Sequence, residues 1–349
     1  MKKILSVLVL ATLLCALLSL WSCSDKNEPM SKTYYEYFDT VTTVTSYGNE
    51  DQETFSANAE RVRGVLERYH RLFDVYYEYE DMNNLKTVND NAGISPITVD
   101  REIIELLLYA KEIYTLTDGE TNAAMGPVIS LWQEKKAEAD KSETSASVPA
   151  ADALSAAAKH ISPDSIIIDE AASTVYLSDK NGKIDVGAIG KGYATERAAE
   201  ALRAMGVSSY VLNVGGNIRA VGEKPDGKGW VTGITDPKRS SEGGIAIKLI
   251  IKDVSCVTSG NYERYFTVDG KRYHHIIDKD TLYPAEYFAS VTVITKDSGL
   301  ADALSTALFC MPYEEGLALA ESIDGVHVLW IYESGEIKMT DGFKALTVE

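Results

Sequence analysis

The sequence predicts an α+β fold with mostly antiparallel or mixed sheets flanked by helices. Three observations predict it. Helical periodicities gather in the first half of the chain, strand-like runs fill the second, and no strand–helix–strand order repeats between them. With 349 residues, 45% of them hydrophobic, the chain is long enough to bury a sizeable core in one large domain or two lobes.

The first element stands apart from the fold. Lys2 and Lys3 precede the apolar run "ILSVLVLATLLCALLSLW", which meets Ser22 and Cys23. That is a charged n-region, an h-region and a small residue at the cut, so residues 1–22 are expected to leave as a signal peptide. The "LWSC" ending resembles a bacterial lipobox, with Cys23 lipidated as the first residue of the mature chain. Residues 23–33 then read as a polar tether and 34–349 as the folded domain. The expectation is a protein lipid-anchored to a bacterial membrane on its extracytoplasmic, periplasmic side.

"YFDTVTTVTSYG", rich in Thr, Val and Tyr, reads as a first strand. Residues 52–75 form a helix with Val62, Val65, Leu66, Tyr69 and Leu72 on one side. Residues 99–117 form another, with Ile103, Ile104, Leu107, Leu108 and Ile113 at helical steps. "TDGETNAAMGPVISLW" is a turn followed by a further apolar segment, and the Ala-, Ser- and Glu-rich residues 133–160 read as helix, loop and helix. "SIIIDEAASTVYLSDKNGKIDVGAI" reads as a hairpin whose turn is Asn181-Gly182. A helix over 191–205 follows, and from residue 210 strands dominate. "GLADALSTALF", 299–309, returns to helix, and "GVHVLWIYESGEIKMT" closes as a hairpin.

A formal net charge of −18 argues against nucleic acid and anionic membrane surfaces as partners. Of four cysteines, Cys15 lies in the leader and Cys23 at the lipobox. An extracytoplasmic compartment permits a disulfide between Cys256 and Cys310, but both sit in apolar runs and are expected as buried thiols.

Five stretches carry chemistry. In "DVGAIGKGYA" a strand ends at Asp185, glycines give a permissive turn, and Lys191 opens a helix whose amides can face an anion. Neither a Walker nor a dinucleotide glycine pattern is present. "NVGGNIRAVG" places a double glycine after a strand, as a bulge or where backbone passes close to another group. In "TSGNYERYF", Arg264 meets either a phosphate or a structural carboxylate. "GKRYHHIIDKDTLYP" holds adjacent histidines; on a strand only one of them faces a given site, and a near-neutral histidine there can take a proton from a hydroxyl. In "GLADALSTALF", Asp302 and Thr306 stand one turn apart on a helix face. Either Asp302 caps the first turn, or the pair aims hard oxygen donors at a charged group such as Mg²⁺.

Together and in this order, these stretches resemble the ApbE family, the bacterial FAD:protein FMN transferases. The resemblance runs from about Tyr37 to about Leu319 and includes "FDTVTTVTSYG", "DG…GPVISLW" and "DGKRYHHIID". It implies an ApbE-like fold with two lobes around an FAD cleft. It implies a Mg²⁺-dependent enzyme that passes the FMN phosphoryl group of FAD to a Ser or Thr hydroxyl of an acceptor flavoprotein, releasing AMP. The implied acceptors are subunits of membrane redox complexes or secreted flavoproteins with a short Ser/Thr motif. Some family members instead hydrolyse FAD to FMN and AMP.

Carried over residue by residue, the resemblance makes Asp302, Thr306 and the main-chain carbonyl of Ala188 the metal ligands. It puts Lys191 at the FAD phosphates with Asp185 on the same loop, and lines the flavin nucleotide with Phe38, Tyr76, Glu120, Thr121, Asn122 and Ile277. His275 matches the general base. Three departures stand out: Asn122 replaces a carboxylate, "AIGK" replaces "GIAK", and "DKDTLYP" lacks the glycine of the common "DPxTGYP".

Overall fold

Eight antiparallel strands form the spine of the molecule, and helices from both ends of the chain bury one face of them. The computed structural model describes residues 28–142, 146–238 and 244–348. Cys23 and the leader 1–22 lie outside these residues.

In chain order the strands and helices are β1 Met30–Tyr34, β2 Thr42–Ser46, α1 Gln52–Phe73, α2 Leu85–Asp90, β3 Ile97–Thr98, α3 Arg101–Leu116, α4 Gly126–Lys141 and α5 Ala151–Ala157. Then come β4 Ile166–Asp169, β5 Thr174–Leu177, α6 Gly190–Ala204, β6 Tyr210–Val214, β7 Asn217–Val221, β8 Trp230–Thr235, β9 Ile245–Ile251 and β10 Ser255–Gly260. The chain continues through β11 Tyr265–Val268, β12 Lys271–His274, β13 Ser290–Thr295, α7 Ser298–Phe309, α8 Tyr313–Ser322, β14 His327–Ile331, β15 Ile337–Met339, α9 Asp341–Lys344 and β16 Thr347–Val348.

The main sheet has the order β1-β2-β6-β7-β10-β13-β14-β15. Its interior strand β13 is buried at every position because both faces are covered. Val291 and Val293 meet α7 and α8, while Ile294 meets a second layer, the small sheet β16-β9-β8 through Trp230 and Leu249 and the short helix α9 through Phe343. On the helix side, Val62, Leu66 and Leu72 of α1, Ile103 and Leu107 of α3, and Ala198 and Leu202 of α6 pack on Val44, Leu212 and Val214. Burying each such side chain contributes about 1.5–3 kcal/mol. α1 starts where it does because the Asp51 carboxylate accepts from Thr54 N–H at 2.8 Å.

Several expectations change. The first strand is only Thr42–Ser46, and it is preceded by β1, which recruits Met30 to Thr33 from the stretch read as tether. The reason is pairing: β1 and β2 form an antiparallel ladder from Met30↔Ser46 to Tyr34↔Thr42. The hairpin β4–β5 turns before Thr174, at Ser173 with φ +51°, and not at Asn181-Gly182, which follows β5. Asp179 supplies that later turn, its carboxylate accepting from Asn181 N–H at 2.9 Å. The double glycine is no bulge. Gly215 and Gly216, at φ +56° and +89°, are the two-residue turn joining β6 to β7. A Cβ on Gly215 would stand 2.2 Å from the Thr40 hydroxyl, so backbone does pass close to a neighbour here. Cys256 and Cys310 are free, buried thiols.

α7 departs from its pattern in one respect. The stripe of leucines and alanines suggested one apolar face, yet Ser298, Gly299, Ala301, Asp302 and Ser305 are buried too. The helix lies against α6 on one side and β10 and β13 on another, so it is enclosed nearly all round.

Candidate active site

The junction of α6 and α7 brings the sequence-predicted groups together. α6 begins after a turn in which Ile189 and Gly190 N–H both donate to Val186 C=O, at 3.0 and 2.7 Å. The Asp185 carboxylate caps this turn by accepting from Gly187 N–H at 2.8 Å, and Ala188 sits within it, half-buried. Gly192 is the third residue of the helix, so its N–H has no intrahelical acceptor. Asp302 of α7 fills that need: its Oδ2 accepts from Gly192 N–H at 2.7 Å.

Asp302 therefore caps a helix, but not its own. α7 is capped by Asp297, which accepts from Leu300 N–H at 2.7 Å. The other Asp302 oxygen, Oδ1, lies 3.5 Å from Lys191 Nζ, and Lys191 donates to Asn217 Oδ1 at 3.0 Å. Thr306, one turn along, stands 3.4 Å from the Asp302 carbonyl and 3.5 Å from Ser259 Oγ. Ser259 in turn bonds Ser305 at 2.8 Å. Close approach of the helices is what permits this. A Cβ on Gly192 would lie 2.2 Å from Ser298 C=O and 2.4 Å from Asp302 Cβ. Farther along α6, buried Glu196 accepts from Ser298 N–H at 2.9 Å and from Arg219 at 2.8 Å, pinning the start of α7.

His275 follows β12 and is exposed, whereas His274 is buried with Nε2 on the Ala285 carbonyl at 2.9 Å. The histidines thus split between two faces, as alternation requires. The Arg264 carbonyl receives both His275 N–H, at 3.1 Å, and Nδ1, at 3.2 Å. A carbonyl only accepts, so Nδ1 carries the proton and Nε2 keeps its lone pair. Though reachable by solvent, this imidazole is ringed by protein, the condition of a side chain in a cleft. Desolvation, then the positive charges of Arg264 and Lys191, push its pKa down to about 4.

Arg264 pairs with no carboxylate among the described residues; it donates to the carbonyls of Phe38 and Asp39, at 3.3 and 3.2 Å. Phe38 and Asp39 both have positive φ, and the Phe38 ring stands edge-on to His70 at 5.5 Å. Tyr76 is half exposed, and desolvation followed by the charges of Asp185 and Asp39 raises its hydroxyl to about 12. Asp185, Tyr76, Arg264 with Phe38, His275 and Lys191 are therefore linked in series by electrostatic or hydrogen-bond contacts.

The Glu120–Asn122 segment is built differently. Thr121 Oγ1 donates to Ala303 C=O of α7 at 3.0 Å, and Asn122 spends both ends of its amide on backbone, at Ile161 and Ala124. Their side chains are structural clips. Glu120 pairs with Lys279 at 3.2 Å, but its buried Oε2 has no partner, and desolvation raises the carboxyl to about 7. Ile277 lies two residues before Lys279 and offers its carbonyl to Cys310 Sγ at 3.9 Å.

Sequence reasoning missed Asn217, Glu196, Arg219, Ser259 and Gly192 as partners of the site. The first and third stood in "NVGGNIRAVG", where the glycines alone drew notice.

Solved structures share this architecture. The ApbE protein of Thermotoga maritima matches with a TM-score of 0.80 at 29% identity, over 92% of this chain and 100% of that one. The apo flavinyl transferase ApbE of Pseudomonas stutzeri matches with 0.75 at 26%, over 92% and 97%. Curated FAD:protein FMN transferases align along the sequence. That of Klebsiella pneumoniae is 33% identical over 76% of this chain and 83% of its own, and that of Treponema pallidum 30% over 95% and 93%. The fold and these relatives make the chain a transferase. The ApbE family profile matches residues 38–330, and the chain belongs to that family.

Proposed function

We propose that this transferase moves the FMN phosphoryl group of FAD to a Ser or Thr hydroxyl of an acceptor flavoprotein in a Mg²⁺-dependent reaction that releases AMP. The observation that carries the reading is the meeting of Lys191 and buried Asp302 at the α6–α7 junction, with the same lysine near enough to act electrostatically on His275.

The donor set suits a hard divalent cation. Asp302 keeps lone pairs on Oδ1, whose nearest charged contact is 3.5 Å away, and the Thr306 hydroxyl has only long contacts at 3.4 and 3.5 Å. One carboxylate, one hydroxyl and the Ala188 carbonyl fit an ion that completes its shell with phosphate oxygens and water. Bound there, Mg²⁺ supplies charge neutralisation for the pyrophosphate and its leaving group.

The residues of the chain do the rest. Lys191 offers its ammonium to the FAD phosphates, steadied by Asn217. Phe38, Tyr76 and the walls around Glu120 and Ile277 hold the flavin nucleotide. His275 Nε2 takes the proton of the acceptor hydroxyl as that oxygen bonds to the FMN phosphorus. The bond from that phosphorus to the bridging oxygen breaks, and AMP leaves with the oxygen. Such a reaction depends on positioning and charge more than on covalent help, and that is what the junction provides.

The test is to incubate the purified mature protein with FAD, Mg²⁺ and a candidate acceptor, weigh the acceptor and follow AMP. A mass gain of one FMN supports the reading; AMP without modified acceptor makes the protein an FAD pyrophosphatase, and neither product overturns catalysis. We further propose that Cys23 carries lipid and holds the enzyme on the extracytoplasmic side of a membrane, near redox-complex or secreted acceptors. Cys23→Ala is then expected to release the protein from the membrane fraction; retention there would refute the anchor.

A further inference from the structure

We propose that Arg264 is a positioning residue of the transfer reaction, its carbonyl setting the His275 tautomer and its guanidinium fastening the Phe38–Asp39 turn, so that base and nucleotide wall are held as one unit. The inference rests on the flavin-transfer reading above and names a residue that reading does not use.

Phe38 and Asp39 adopt φ of +55° and +50°, a region that costs a non-glycine residue roughly 1–2 kcal/mol. Such a turn persists only where its surroundings over-determine it. Here they do: Phe38 N–H donates to His70 Nδ1 at 3.3 Å, Thr40 N–H returns to the Tyr37 carbonyl at 3.2 Å, and one Arg264 nitrogen binds both turned carbonyls. Arg264 is exposed, so burial does not explain why its head is spent on main-chain oxygens. Among the described residues it forms no ion pair, so its charge is left to act on the cleft.

The same residue reaches the base through its backbone. Arg264 and His275 extend the β11–β12 ladder by one pair beyond Tyr265↔His274, which is why one carbonyl can take both His275 donors. A shift of the Phe38 turn would pull on the Arg264 side chain, and a shift of Arg264 would release Nδ1. The charges of Arg264, His274 and Lys191 oppose protonation of His275, while the Arg264 carbonyl on Nδ1 favours it more weakly.

Arg264→Gln and Arg264→Lys test this, measured as the FAD dissociation constant by flavin fluorescence and the pH dependence of kcat/KM for AMP release. The exposed position keeps both variants folded, which melting curves verify. Arg264→Gln is expected to weaken FAD binding about tenfold, the loss of charge-assisted bonds to the wall. It also shifts the acid limb of kcat/KM to higher pH, because a cation beside the base is gone. Arg264→Lys keeps the charge and leaves the limb near the wild-type position. Wild-type FAD affinity in Arg264→Gln, or an unmoved acid limb, overturns the proposal, as does a limb that moves equally in both variants. If the wild-type protein binds FAD but releases no AMP, the functional reading fails while the FAD affinities still decide whether Arg264 fastens the wall.

Discussion

Asp302 caps Gly192: a carboxylate in the middle of one helix satisfies the orphan amide of another, at 2.7 Å, while its second oxygen faces Lys191 at 3.5 Å. The two roles are separable because they need different properties of the side chain. Capping needs an oxygen acceptor, whereas charge neutralisation and metal binding need an anion. Asp302→Asn is expected to keep the cap, melt within a few degrees of wild type, and lose both turnover and Mn²⁺ binding measured by electron paramagnetic resonance. Asp302→Ala loses the cap as well, and about 1 kcal/mol more stability. Normal turnover in the asparagine variant would remove Asp302 from the metal site.

Gly192 makes that contact sterically feasible. Its hypothetical Cβ collides with the Ser298 carbonyl and the Asp302 Cβ, at 2.2 and 2.4 Å, and neither is the mobile end of a side chain. Gly192→Ala must therefore part α6 from α7. The expected cost is about 1–3 kcal/mol by chemical denaturation, as for overpacking elsewhere. Turnover should fall by more than the folded fraction does, since Lys191 and Asp302 ride on opposite helices. A variant as stable and active as wild type would mean that the helices tolerate separation.

Much of the fold was legible in the sequence where one rule acted alone. The periods of α1 and α3 appear where Val62, Leu66, Ile103 and Leu107 pointed. Legibility failed where a partner distant in sequence decides. β1 exists because β2 pairs with it, and Asn217 matters because Lys191, twenty-six residues away, ends on it. Asp302 read first as a cap of its own helix and second as an aimed carboxylate, since its acceptor duty belongs to a helix more than a hundred residues earlier. The contact of Arg264 with the Phe38–Asp39 turn was not legible either, because no local pattern marks that left-handed turn.

Leu282 occupies the turn that lacks the glycine of "DPxTGYP", and the structure holds it at φ +62°. That conformation costs a leucine about 1–2 kcal/mol, against about 0.5–1 kcal/mol for the greater freedom glycine loses on folding. The leucine side chain also packs beside Trp132, whose indole N–H donates to the Leu282 carbonyl at 2.9 Å. These terms nearly cancel, so Leu282→Gly is expected to change stability by less than about 1 kcal/mol. A leucine at negative φ would cost more when truncated so far. A loss above about 2 kcal/mol by urea titration would show that packing, not backbone strain, governs this turn.

His275 predicts the direction of the pH profile. Its free-enzyme pKa of about 4 leaves the imidazole neutral, with Nε2 able to accept a proton, across the neutral range. Because kcat/KM reports the free enzyme, His275 contributes no fall between about pH 8 and pH 6 and an acid limb only as the pH approaches its own value. His275→Ala is expected to slow transfer about 10²–10⁴-fold while FAD affinity changes little. Equal losses in transfer and FAD binding would make the histidine structural.

Glu120 gives the opposite kind of pH effect, on stability and not on rate. Its carboxyl titrates at about 7 in the folded protein against an ordinary 4.5, chiefly because burial disfavours the anion and Oε2 finds no partner. The folded state thus binds the proton more tightly than the unfolded one. Below about pH 4.5 both states are protonated and the group is neutral to stability. As pH rises from there to 7 the unfolded state releases its proton first, so stability is lost across that window and stays lost above it. The full effect is on the order of 3–4 kcal/mol, since each pKa unit corresponds to about 1.4 kcal/mol. Glu120→Gln carries no titrating proton, so its melting temperature should decline less than that of the wild type between pH 5 and 7.5. Parallel curves for the two proteins would place the raised carboxyl elsewhere.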